Sequence, residues 1–159
     1  RFNTRGTESK EGKSEGEFDQ GRSEKLDVLA AIDYCFDKLK VKDLYVVGWS
    51  FGTELALKYA NDVRIKALIL LSPPLIATSD EDLAFWAKDG RPITALVPEH
   101  DDYLKPAAAR IRFSKVPNVK EIDVPGAKHL WVGEPMVYLV LSEIVKVIAP
   151  SRLPLPEEV

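Results

Sequence analysis

A chain of 159 residues, 45% hydrophobic and 30% charged, has the length of one domain and enough apolar material to bury a core. Its net charge of −3 is spread over interleaved acids and bases, which argues against an electrostatic nucleic-acid binder. No apolar run approaches the roughly 20 residues of a membrane span, and the single cysteine, Cys35, permits no intrachain disulfide and points to a reducing compartment, the cytoplasm.

The first 22 residues hold ten charged residues and four glycines, and read as loop. From Ser23, a candidate N-cap, Leu26, Leu29, Ala30, Ile32, Cys35, Phe36 and Leu39 recur at helical spacing and predict an amphipathic helix. Leu44 to Val47 reads as a buried strand and Thr53 to Ala60 as a helix. Ile65 to Leu71 is a second buried strand, stopped by Ser72-Pro73-Pro74, and a short helix is expected around Glu81 to Lys88. Ile93 to Val97 is a third strand, Ala107 to Phe113 a helix, and Val119 to Val124 a fourth strand. Met136 to Ile148 forms the last helix, and the proline-rich tail frays. The division is therefore a domain over 1–149 and a flexible tail over 150–159. Continuous apolar strands alternating with helices imply an α/β architecture, a mostly parallel sheet covered on both faces.

Gly48-Trp49-Ser50-Phe51-Gly52 is a G-x-S-x-G pentapeptide between a predicted strand and a predicted helix. That setting is the nucleophile elbow, a turn so sharp that the serine backbone is strained and both flanking glycines are expected to be needed sterically. A serine hydroxyl needs an adjacent base. Of the two histidines, His129 follows the last strand and precedes the last helix, where a base belongs, whereas His100 sits in an acidic loop and reads as a solvated residue. The orienting carboxylate should follow the third strand, in Pro98-Glu99-His100-Asp101-Asp102, with Asp101 favoured and Asp102 the alternative. The Phe51 N–H is the expected oxyanion donor. The second donor usually comes from a loop after an earlier strand, and no such loop is readable here.

Arg1-Phe2-Asn3-Thr4-Arg5-Gly6, then Ser14-x-Gly16-x-Phe18-Asp19-x-Gly21, resembles the fourth-strand signature of small bacterial α/β-hydrolases related to dienelactone hydrolase. Gly48 to Gly52, Ser72-Pro73-Pro74, Asp101-Asp102…Pro106 and Ala127-Lys128-His129 continue the match in order. The resemblance implies the α/β-hydrolase fold with Ser50 as nucleophile, His129 as base and the acid in the Asp101-Asp102 pair. It also implies a strand at Arg1-Phe2-Asn3 and further strands, with the second oxyanion donor, ahead of Arg1.

The expected activity is acyl transfer to water through an acyl-Ser50 intermediate, on a small-molecule carboxylic ester or related acyl compound. Trp49 and Trp131 are the expected substrate-binding aromatics, with Phe51, Phe85 and Trp86 further candidates for lining a lightly capped cleft. No cofactor and no metal are expected, because no His/Cys/Asp cluster has ligand spacing. A serine peptidase acting on short peptides and an inert fragment of the same fold are the competing readings, and no oligomeric state can be read.

Overall fold

The computed structural model describes residues 1–10 and 12–156. Two short strands, β1 (Glu8–Ser9) and β2 (Gly12–Lys13), pair antiparallel within the glycine-rich start. There follow α1 (Glu24–Asp37), β3 (Leu44–Trp49), α2 (Phe51–Tyr59), β4 (Ile65–Leu71), α3 (Asp80–Asp89), β5 (Ile93–Pro98), α4 (Pro106–Phe113), β6 (Val119–Val124) and α5 (Glu134–Ile148). A 3-10 turn at Pro150–Arg152 and a hydrogen bond from the Tyr138 hydroxyl to the Leu155 carbonyl give the start of the tail defined structure. The end of the tail, 157–159, lies outside the described residues.

β3, β4, β5 and β6 form one parallel sheet in sequence order. Side chains alternate across a strand, and β4 shows it. Leu68 and Leu70 enter a core with Val28 and Ile32 of α1, Leu55 and Leu57 of α2, Leu83 and Trp86 of α3 and Phe113 of α4. Ile69 and Leu71 enter a second core with Leu96, Val124, Trp131 and Val140 of α5. The expected α/β class, a parallel sheet with helices on both faces, is the architecture observed.

Three local expectations are corrected. Residues 1–4 form no strand. The segment is instead tied to α1 by Arg5, whose main-chain N–H and guanidinium both donate to the Asp27 carboxylate, at 2.9–3.1 Å. Ser23 does not cap α1, because its backbone is already helical and its hydroxyl donates to Asp19. The buried Glu24 carboxylate accepts the Asp19 and Gly21 N–H groups there instead. β3 is not buried on both faces. It is an edge of the sheet, and Val47 and Trp49 are about half exposed because α5 packs on β4, β5 and β6 and does not reach them.

α3 begins with a capping box, Ser79 accepting from Asp82 N–H while the Asp82 carboxylate accepts from Ser79 N–H, and ends on Gly90 in the left-handed conformation. On β6, burial pushes the Glu121 carboxyl up to about 7, with help from the neighbouring Asp123 and against the pull of Arg110. Folded Glu121 therefore keeps a proton that the unfolded chain gives up near its ordinary pKa of 4.5. Stability from this group is lost as pH rises from about 4.5 to 7, and the burial penalty is then constant. Glu121→Gln is thus expected to raise the unfolding temperature at pH 8 by ~2–4 °C, for each ~1 kcal/mol relieved, and to change it little at pH 4.5. Thermal unfolding at the two pH values checks this, and equal shifts would refute it.

Candidate active site

In a parallel sheet every strand ends on the same edge, and the loops that follow are brought together there. Main-chain bonds continue the ladder past the strand ends: Ser50 N–H to Leu71 O, Ser72 N–H to Leu96 O, Glu99 N–H to Val124 O and His100 N–H to Ala127 O. Residues that are 79 and 28 positions apart in sequence meet as a result.

Ser50 sits between β3 and α2 at φ 50°, ψ −120°, a conformation that costs a side-chain-bearing residue of order 1–3 kcal/mol. The expected strain at the elbow is present. Its Oγ lies 2.8 Å from His129 Nε2, and His129 Nδ1 lies 2.9 Å from Asp101 Oδ2. A carboxylate can only accept, so Nδ1 carries the imidazole proton and Nε2 is left with its lone pair toward the serine hydroxyl. The other Asp101 oxygen accepts the N–H groups of Tyr103 and Leu104, at 2.8 and 3.3 Å. Asp101 is thus buried and held on both oxygens, while Asp102 is exposed. Of the two adjacent acids, only Asp101 meets the histidine.

A family model described as the alpha/beta hydrolase fold matches residues 2–91. The chain belongs to that family. No curated protein matches it. Among solved structures, this α/β-hydrolase is similar to an alpha-beta serine hydrolase homologue from Coxiella burnetii, with 23% identity and a TM-score of 0.77 over 92% of this chain and 67% of that one. It is also similar to XC6422 from Xanthomonas campestris, described as an a/b serine hydrolase without lid, with 21% identity and a TM-score of 0.74 over 98% of this chain and 67% of that one. Est1E from Butyrivibrio proteoclasticus with bound ferulic acid aligns at 18% identity and a TM-score of 0.70, over 95% of this chain and 75% of that one. The chain thus spans about two thirds of the length of the first two.

The α/β-hydrolase elbow uses its two glycines unequally. A Cβ on Gly48 would stand 2.5 Å from the Gly52 carbonyl oxygen and 2.8 Å from Thr53 Cα, whereas a Cβ on Gly52 meets nothing within 4 Å. The expectation that both are sterically required therefore holds for Gly48 alone. Phe51 opens α2, so its N–H is among the four that a helix leaves without an intrahelical acceptor, at the positive end of the helix dipole.

Beside Ser50 lies an open hollow of about 270 Å³, lined by Phe51, Glu54, Pro74, Ile76, Ala77 and Tyr103. Of these, only Phe51 was among the lining residues expected from the sequence. Tyr103 packs its ring on His129, centroids 4.8 Å apart. Glu54 is buried, and its carboxylate accepts the Ile76 and Ala77 N–H groups, both at 2.6 Å, which pins the hollow's far wall to α2. An acid one turn into an apolar helix is the only signal the sequence offers for that role, and it is a faint one.

Several expected lining residues are elsewhere. Trp86 is fully buried in the first core and donates its indole N–H to the Leu57 carbonyl, so it cannot line a cleft. Phe85 packs edge-on against it and is exposed, while Leu83 and Trp86 carry α3 into the core. Trp131 is buried in the second core under α5. Trp49 is half exposed, its ring 6.3 Å from that of His129. The His100 side chain is exposed beside Glu99 and outside the Asp101–His129–Ser50 relay. Among the described residues no group of three or more His, Cys, Asp and Glu side chains converges to hold a metal, and no helix is long and apolar enough to cross a membrane.

The glycine asymmetry is testable by denaturant unfolding. Gly48→Ala is expected to destabilise by about 1–3 kcal/mol through overpacking against backbone. Gly52→Ala should be neutral or should stabilise by up to ~1 kcal/mol through helix propensity.

Proposed function

We propose that this chain is a serine hydrolase that cleaves small carboxylic esters or related acyl compounds through an acyl-Ser50 intermediate. The continuous relay from Asp101 through His129 to Ser50, at the mouth of a largely apolar hollow, carries the reading. Ser50 Oγ attacks the acyl carbon while His129 Nε2 takes its proton. The tetrahedral oxyanion accepts the Phe51 N–H, where the α2 dipole favours negative charge. Collapse expels the alcohol, which takes the proton from the imidazolium. Water then attacks the acyl carbon with His129 again as base, and the acid and free Ser50 are released. Asp101 holds the tautomer and stabilises the imidazolium that forms.

The hollow beside Ser50 is about 270 Å³ and open to solvent. That size supports a short acyl group. Phe51, Ile76 and Tyr103 supply apolar contact for it. The single half-buried Cys35 supports a cytoplasmic setting, and relatives from Coxiella, Xanthomonas and Butyrivibrio support a bacterial source.

Ser50→Ala is expected to abolish p-nitrophenyl acetate turnover and labelling by a fluorophosphonate, with the unfolding midpoint unchanged. Residual turnover in that variant would remove Ser50 from the role. Asp101→Asn should lower kcat by ~10³–10⁴, and Asp102→Asn should stay within about twofold of wild type, as steady-state kinetics can show. Aminoacyl p-nitroanilide cleavage without ester turnover would replace the esterase reading with a peptidase.

A further inference from the structure

Two donors outside the relay converge on one acceptor, the main-chain carbonyl of His129. Trp49 donates its indole N–H from the end of β3, at 3.1 Å, and Ser72 donates its hydroxyl from the end of β4, at 3.0 Å. The histidine they hold comes from the loop after β6, at the opposite edge of the sheet. That loop is anchored near its start, where the Ala127 carbonyl accepts His100 N–H, and again past the histidine by the buried Trp131 side chain. Its neighbours Lys128, Leu130 and Val132 are all exposed. Between those anchors the carbonyl of His129 itself is the point at which the loop is fastened to β3 and β4.

Ser72 is an unusual residue to find there. Its backbone has φ 48°, a left-handed conformation where glycine would be cheaper, yet it carries a side chain and is buried. Its N–H holds the Leu96 carbonyl of β5 while its hydroxyl holds the histidine loop, so one strained residue ties two parts of the site together. The Trp49 ring also lies near the imidazole, its centroid 6.3 Å away and its plane tilted by 36°.

We propose that Ser72 and Trp49 are positioning residues: a two-donor clamp on the His129 carbonyl that keeps the imidazole in register between Asp101 and Ser50. This rests on the reading of His129 as the base. The relay spans two contacts of 2.8 and 2.9 Å, and a displacement of ~1 Å at such a centre costs on the order of 10² in rate. A carbonyl has two lone pairs, so either donor alone keeps it satisfied, and loss of both leaves it to rotate toward water. The two substitutions therefore cost more together than the product of their separate effects.

The test uses the full chain as wild type, Trp49→Phe, Ser72→Ala and the double variant. Steady-state p-nitrophenyl acetate kinetics are normalised to Ser50 sites counted with a fluorophosphonate, and proton NMR follows the downfield Nδ1 proton shared by His129 and Asp101. Each single variant is expected to lose about two- to fivefold in kcat with KM within twofold, and the double about a hundredfold, more than the roughly 4- to 25-fold product of the singles, with the downfield signal broadened or gone. A double variant with wild-type kcat and signal overturns the clamp. So does a loss confined to KM, or one that leaves the signal unchanged, since either would place Trp49 against substrate and not behind the histidine. A wild-type chain that shows the signal but neither labels nor turns over defeats the catalytic reading, and the NMR comparison then decides the clamp alone. A wild type without the signal overturns the proposal. Where Ser72→Ala does not fold, Trp49→Phe decides it, and unchanged kcat and signal in that variant refute a two-donor clamp.

Discussion

At Ser50 the chain leaves a strand and enters a helix within one residue, and the backbone is forced to φ 50° to do so. Everything at the sheet's C-terminal edge is arranged around that turn. It can close because Gly48 has no Cβ to strike the Gly52 carbonyl, and because Ser50 N–H is caught by Leu71 of the neighbouring strand. The strain is held in place by the packed layer behind it, in which α2 carries Leu55, Ala56 and Leu57 into the first core. A strained residue persists only where its surroundings over-determine it.

The same economy recurs one strand further in. Ser72 ends β4 in a left-handed conformation, as Ser50 ends β3, and each spends its N–H on the next strand. The first serine thereby points its hydroxyl out toward the imidazole, and the second points its hydroxyl inward toward the histidine's main chain. Buried carboxylates do comparable work at other turns. Glu54 gathers the N–H groups of the loop after β4, and Glu24 those of the turn before α1. Each offers those backbone donors a charged acceptor, which makes the stronger kind of hydrogen bond.

The two faces of the sheet are covered unequally. Four helices contribute to the first core and one to the second, and α5 alone does not reach β3. Trp49, half exposed at the end of β3, donates its indole N–H to the His129 carbonyl.

Much of this was legible before any coordinates. A continuous apolar run placed β4, and alternation placed β6, to the residue, while helical spacing and propensity placed the helices to within about two, because these are local properties of the segment. Gly48 to Gly52 and His129 were readable as a reactive pair because a strained turn demands particular residues at particular offsets. Contacts across the sheet were not readable. Two adjacent aspartates look alike in sequence, and only the turn at Tyr103 and Leu104, which captures one oxygen of Asp101, separates them. Trp86 and Trp131 looked like cleft aromatics and are core, since an aromatic's neighbours are set by the packing of distant elements. The clamp on His129 joins the ends of β3 and β4 to the loop after β6, an arrangement of residues 80 and 57 positions apart that only the parallel stacking of the strands brings about.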